Sequence, residues 1–328
     1  MDNDAKLRPL YLLKTLKEQT DEDHALSTAQ LCKKLKDDYG IDTFRTTLKS
    51  DIEVLQHAGF GIQATRSTQN LYNYIDRDFD IPEIKLLIDA VMSSKFITKA
   101  KSDQLVAKLT ELAGKYKARE LKRNMVVDGR IKLGNEQIYL IVDAINEAIN
   151  AKKKIRFQKE EYNIRKERVL HNNGEIYVFS PYSLVWDGDY YYVVGYSDKY
   201  QSVGSHRVDR IYKRPEILEE DAVPPMVGFD INTYVNTMFR MYNSDRYEVE
   251  LQVDNSLMDA MIDKFGPGVM TCACDQHSFR VIETVSVGTT FYNWVFGFQG
   301  KVKIRGPESV RLAYEERVRE AAEALGLF

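Results

Sequence analysis

The chain has 328 residues, enough for two or three domains, and its 44% apolar and 29% charged residues are those of an ordinary soluble protein with real cores. No apolar run reaches the roughly 18 residues of a membrane span, and the start Met1-Asp2-Asn3-Asp4-Ala5-Lys6 has none of the features of a secretion signal. Three cysteines (Cys32, Cys272, Cys274) make no disulfide framework or zinc ligand set, so a reducing cytoplasm is expected, and the net charge of −3 leaves nucleic-acid binding open because the placement of cations matters more than their sum.

Leu7, Leu10, Leu13 and Leu16 recur at helical spacing and predict a first helix over 7–18. Ser27 and Thr28 offer an N-cap to a second, with Leu31, Cys32 and Leu35 as its buried side and Gly40 as its stop. A third helix is predicted from Asp42, with Phe44, Leu48, Ile52 and Leu55 as one narrow apolar stripe. Its other face carries Thr46, Lys49, Ser50 and Glu53, with Thr43 and Arg45 at the flank. Residues 61–75 then read as a hairpin around Arg66-Ser67-Thr68-Gln69-Asn70. Three short helices and a hairpin suggest a winged helix-turn-helix, in which the third helix enters the major groove. Thr43, Arg45, Thr46, Lys49 and Ser50 are therefore the candidate DNA contacts, with Arg66 of the wing on phosphate. The same pattern also fits a plain three-helix packing module.

Asp80-Ile81-Pro82-Glu83 starts further helices over 83–97, 103–116 and 136–150, expected to link the head to the rest of the chain. Residues 152–168 then hold eight Lys or Arg (Lys152, Lys153, Lys154, Arg156, Lys159, Arg165, Lys166, Arg168), a run that suits either a nucleic acid or a solvated face. From Lys153 the period changes to two. Strands are expected at 154–157, 174–179, 181–185, 190–196 and 206–212, with a turn at Asp187-Gly188, which suggests a small β-barrel. The C-terminal third alternates strands at 247–253, 278–287 and 301–305 with helices at 255–265 and 308–325, an α+β unit with Trp294 expected in its core.

Pro181-Tyr182-Ser183-Leu184, Tyr191-Tyr192-Val193-Val194-Gly195-Tyr196 and Arg207-Val208-Asp209-Arg210-Ile211 resemble the signature of bacterial WYL-domain transcriptional regulators, Tyr191-Tyr192-Val193 standing in place of the Trp-Tyr-Leu tripeptide. Thr47-Leu48-Lys49-Ser50-Asp51-Ile52 resembles that family's recognition helix, Ser93-Ser94-Lys95-Phe96-Ile97-Thr98 its linker, and Trp294-Val295-Phe296-Gly297-Phe298 with Lys301-Val302 and Pro307 its C-terminal WCX extension. The resemblance implies a multidomain α+β chain: a winged helix-turn-helix over 1–78, a helical linker over 79–150, an Sm-like or SH3-like WYL barrel over 151–222 and an α/β WCX domain over 223–328. It implies a homodimer on double-stranded operator DNA, with single-stranded DNA or a nucleotide as effector. Two positions depart from the family: Ser50 replaces its common Arg, and His206 replaces the aromatic before the Arg-x-Asp-Arg segment.

The ligand site expected in the barrel is Tyr182, Tyr191, His206 and Arg207, with Arg210 and Lys154 as outer contacts, since tyrosines beside cations suit base stacking in a charged groove. The tyrosines also fit a barrel core, and either Arg also fits a structural pair with Asp209. On a straight strand, Arg207 and Arg210 would point to opposite faces. The five histidines are scattered, with no HExxH, P-loop or GxGxxG, so no catalysis, cofactor or metal is expected. The alternative function is a single-stranded DNA or RNA-binding module with no promoter role.

Overall fold

A computed structural model describes residues 2–66, 68–123, 132, 137–238 and 244–327. The chain is a multidomain α+β protein, helical in its first part and built on sheets in its second. It divides into two compact units, Met1–Gly134 and Asn135–Phe328.

The first unit opens with α1 (Asp2–Gln19), α2 (Thr28–Tyr39) and α3 (Arg45–His57). Strands β1 (Leu26–Ser27), β2 (Ile62–Arg66) and β3 (Asn70–Tyr74) form an antiparallel sheet in the order β1-β3-β2. Ser67 of the predicted turn lies outside the described residues. Ser27 caps α2 in a reciprocal box with Gln30, and Gly40 ends it at φ 69°, a left-handed conformation open to glycine at no steric cost. Leu12, Leu16, Leu31, Leu35, Leu48, Ile52 and Leu55 share one core with Ile62, Tyr72 and Tyr74 of the hairpin.

Two expected core positions are corrected. Leu10 is 60% exposed, because a spacing of three drifts around a 3.6-residue helix and α1 buries Leu12, Thr15 and Leu16 instead. Phe44 is 82% exposed: it is the extended N-cap of α3, so its side chain does not follow the helical stripe. Further on, α4 (Ile81–Ser93) starts with a capping box between Asp80 and Glu83 and packs with α5 (Lys99–Leu112) and α6 (Gly114–Arg123) around Ile84, Ile88, Val106, Ala113 and Leu121.

The second unit begins with α7 (Ile138–Ala151), which buries Ile138, Ile141 and Ile145 and packs against two strands of the sheet that follows, β4 (Lys153–Gln158) and β7 (Ile176–Asp187). Between those strands lies a separate hairpin, β5 (Glu160–Tyr162) and β6 (Arg168–Leu170). With β8 (Tyr190–Ser197), β9 (Ser202–Arg207) and β10 (Glu216–Asp221) the antiparallel sheet runs β10-β4-β7-β8-β9. Residues 174–179 and 181–185, expected as two strands, belong to one long strand with a bulge between Pro181 and Ser183. The expected strand 206–212 is also corrected: β9 ends at Arg207, and Val208–Arg210 is a 3-10 turn. That turn carries the chain from one edge strand to the other, and the bridge between Lys159 and Ile211 curls the sheet on itself. Gly195 is needed at the crossing of β7 and β8, where a Cβ would lie 2.1 Å from the Ser180 carbonyl.

After α8 (Ile231–Asn236) come β11 (Arg246–Asp254), α9 (Met258–Phe265), β12 (Thr271–Ala273), β13 (Ser278–Ser286), α10 (Thr289–Gly297), β14 (Val302–Gly306) and α11 (Glu308–Ala324). The sheet order β12-β13-β11-β14 is that of a split βαβ, or ferredoxin-like, arrangement. Trp294 is half-buried and packs on this core beside Phe265, Phe291 and Phe298. No helix among the described residues is long and apolar enough to cross a membrane.

Candidate functional site

In the first unit α3 presents a polar ridge. Arg45, Thr46, Lys49, Ser50 and Glu53 are exposed, while Leu48, Asp51, Ile52 and Leu55 are buried. The helix is fixed by Arg8 of α1, which donates to both oxygens of Asp51, with Nη2–Oδ1 at 3.1 Å. Such a bidentate pair sets rotation as well as position. Arg45 has no carboxylate within 4 Å among the described residues, and Lys49 meets Glu53 at 3.6 Å, an exposed helical pair of small worth. Thr43 lies at the lip of a cleft of about 560 Å³ lined by Ala29, Cys32, Thr43, Phe44, Arg45 and Thr46, where its Oγ1 is buried and unpartnered. Arg66 is exposed at the end of β2.

In the second unit the expected ligand residues spread over both faces of the sheet. His206 pairs in register with Val193, and Arg207 with Tyr192, so the two adjacent side chains point oppositely. The His206 ring sits in an aromatic box, 5.3 Å from Phe157, 4.9 Å from Phe179 and 5.7 Å from Tyr177. Its Nε2 is buried with no hydrogen-bond partner, and burial, aided by the Lys159 cation, pushes its pKa down to about 3. Tyr191 lies against Trp186, and Tyr182, at the bulge, against Phe229.

Arg207 forms a bidentate pair with the buried Asp209 (3.1 and 2.8 Å) and stacks 3.4 Å from the Tyr190 ring. Arg210 stands 3.9 Å from the same carboxylate. The two arginines therefore converge on one acid, which the 3-10 turn makes possible and straight-strand alternation would not. Lys154 is held by Asp198 (2.7 Å) and Glu220 (3.0 Å).

Arg210 also lines a cleft of about 390 Å³ with Lys159, Glu160, Glu161, Tyr162 and His171. Lys159 Nζ lies 4.2 Å from the Tyr177 ring and has no carboxylate within 4 Å among the described residues; burial lowers its pKa. Glu160 is taken by Arg168 at 2.9 Å. Behind the cleft Glu175 accepts from Lys199, from Asn172 (2.9 Å) and from the Tyr177 hydroxyl (2.9 Å), which hold its pKa at about 2. Burial, then the bond to Glu175, pushes the Tyr177 phenol up to about 12. Because Tyr177 gives its hydrogen to Glu175, the His171 Nδ1 at 3.1 Å must be the donor to the phenol oxygen. That leaves His171 Nε2 facing Glu161 at 3.9 Å.

Sequence reasoning passed over Lys159, Tyr162 and His171. Their signal was the alternation of residues 159–162 and 168–170 about the turn residues Asn163–Lys166, which a reading for charge alone absorbed into the basic run.

The second unit thus carries a curled five-stranded antiparallel sheet with a helix packed on it, an arginine pair gathered on a buried acid and an adjoining cleft lined by both cations and carboxylates. Residues 141–216 match the family model for the WYL domain, and this part of the chain is a WYL domain. Two solved structures are similar to it. Proteasome accessory factor B/C (PafBC) of Arthrobacter aurescens shares 16% identity over 97% of this chain and 47% of that one, with a TM-score of 0.29. A CRISPR Cas-related protein shares 12% over 99% of this chain and 84% of that one, with a TM-score of 0.38. The chain thus spans 47% of the length of the PafBC chain it matches. No curated protein matches it.

Proposed function

We propose that this protein is a DNA-binding transcriptional regulator, without catalytic activity, whose WYL domain senses a nucleotide-type ligand. In this reading α1, α2, α3 and the β2–β3 wing form a winged helix-turn-helix, and the curled sheet is an Sm-like barrel. The observation that carries it is the exposed ridge of α3 together with the Arg8–Asp51 pair that aims it. A ridge of short hydroxyls and cations suits base edges and phosphates better than the Glu/Lys lattice of a merely solvated helix. Arg45, Thr46, Lys49 and Ser50 contact the major groove and Arg66 the backbone beside the wing, while Thr43, whose hydroxyl is buried, drops out of the expected contact set.

The effector reaches the barrel where Arg210 is open. Arg207 and Lys154 enter as cations that an anionic ligand must win from Asp209, Asp198 and Glu220, while His206 faces the aromatic box on the other side of the sheet and Tyr182 packs on Phe229. A homodimer on two half-sites is the assembly such a head requires. Footprinting of the full chain on genomic duplex fragments tests the proposal. Two related half-sites about one helical turn apart are expected, whereas protection of single strands alone would replace the regulator with a single-strand-binding module.

A further inference from the structure

We infer that Phe44 is a specificity-determining residue of the α3 ridge, its ring meeting the 5-methyl group of a thymine in the major groove. The inference rests on the duplex-binding reading and adds a base feature that Arg45, Thr46, Lys49 and Ser50 do not report through hydrogen bonds.

The first argument is that Phe44 is held outside and is not merely loose. Gly40 donates to the Lys36 carbonyl at 2.9 Å and Ile41 to the Leu35 carbonyl at 3.0 Å, and the Ile41 side chain is buried. Lys36 Nζ and Asp42 Oδ2 close the same turn at 3.0 Å. On the other flank the Leu48 N–H donates to the Phe44 carbonyl at 3.0 Å and opens α3. Between these fixed points an extended backbone (φ −89°, ψ 153°) turns the ring outward. At 82% exposure it is the most exposed aromatic side chain among the described residues. The residue type is also wrong for its place in the helix. An N-cap favours Ser, Thr, Asp or Asn, whose oxygen accepts from the first turn, and the Phe44 side chain makes no such bond. Neither capping nor core packing accounts for an aromatic here.

The second argument is the company the ring keeps. It walls one side of the cleft that Ala29 and Cys32 of α2 share with Arg45 and Thr46. Arg45 and Thr46 follow it on exposed positions, and Lys49 comes one turn later. The next exposed large apolar side chain on α3 is Val54, about 15 Å further along the helix. An apolar protein partner calls for a contiguous patch, whereas this is a single ring in a polar ridge. The wall of the major groove has the matching composition. It offers hydrogen-bonding edges, with the thymine methyl as its apolar feature, and Phe is among the side chains that pack on that methyl.

Selection by the full chain from a random duplex library, prepared once with thymidine and once with deoxyuridine in its place, tests the assignment. The two pools differ only in the 5-methyl group. The wild type is expected to enrich a motif with one fixed thymine from the first pool and to lose the preference at that position in the second. A synthetic duplex with uracil there should bind about fourfold more weakly, the worth of one buried methyl. Phe44→Ala should bind the two duplexes equally and keep the rest of the motif. Phe44→Ser restores a favoured cap, which guards against a folding defect, and should be equally blind to the methyl. A wild type that tolerates uracil at every thymine, or discrimination that survives in Phe44→Ala, would overturn the role of Phe44 and leave the regulator reading standing. Failure of the wild type to enrich any duplex would overturn that reading, and this inference with it.

Discussion

Two regions of this chain look alike as strings of cations and behave differently as surfaces. On α3, Arg45 stands without a carboxylate and Lys49 has only an exposed helical neighbour. In the basic run over 152–168 four of the eight cations are taken by partners distant in sequence: Lys153 meets Asp221, Lys154 meets Asp198 and Glu220, Arg156 meets Glu216, and Arg168 meets Glu160. Lys152, Lys159, Arg165 and Lys166 have no carboxylate within 4 Å among the described residues. Cross-strand neighbours in a sheet deliver opposite charges at close range, whereas the outer face of a helix is supplied only by its own turns. Counting cations along the sequence thus overstates the second region, where half of them are neutralised by carboxylates far away in the chain. Only where a cation lacks a carboxylate, as at Arg45 and Lys159, is there charge to spend on a partner.

The largest effect is expected at the base of the ridge: Asp51→Ala leaves Arg8 unpaired in a mostly buried place, and thermal or denaturant unfolding should show a loss of about 3 kcal/mol. An unchanged midpoint would mean that the ridge is not aimed by this pair.

Next comes the aromatic box. His206 has a folded pKa of about 3, below its ordinary value, so on acidification the unfolded chain takes the proton first. Its stability contribution is complete above about pH 7 and is lost as pH falls toward the folded value, about 2 kcal/mol of it by about pH 5. His206→Phe should abolish that part of the acid slope and raise stability at neutral pH by about 1 kcal/mol, since it removes an orphan buried nitrogen. A smaller loss, about 1 kcal/mol, is expected for Ser27→Ala, which removes the cap of α2. The smallest belongs to the paired run: Arg156→Ala should change both stability and duplex affinity by less than about 0.5 kcal/mol, because its partner Glu216 is as exposed as it is.

Much of this architecture was legible in the residues. The Ser27 cap, the Gly40 stop, the turn around Arg66–Asn70 and the alternation of Tyr247–Val253 are local signals, and each marks an element that formed. What was not legible depends on partners distant in sequence. Nothing near Phe44 says that an extended cap turns it outward. Near Arg207 the residues suggest a pair of either arginine with Asp209, but not the 3-10 turn that ends the strand and brings both arginines to that acid. The site follows the same rule: the α3 face could be read from its period, whereas the cleft is assembled from β5, the segment at His171 and the turn at Arg210, which lie apart in the chain. The tautomer of His171 likewise follows from a chain of hydrogen bonds ending at Glu175 and Lys199.

In the proposed function the exposed face of α3 spends its charge, Arg45 foremost, on duplex DNA. The most direct measurement is the salt dependence of duplex binding for the wild type and for the Arg45→Ala/Lys49→Ala double variant. Loss of two phosphate or base-edge contacts should weaken affinity and flatten the slope of log K against log salt by about 2. A double variant whose affinity and slope equal those of the wild type would contradict it.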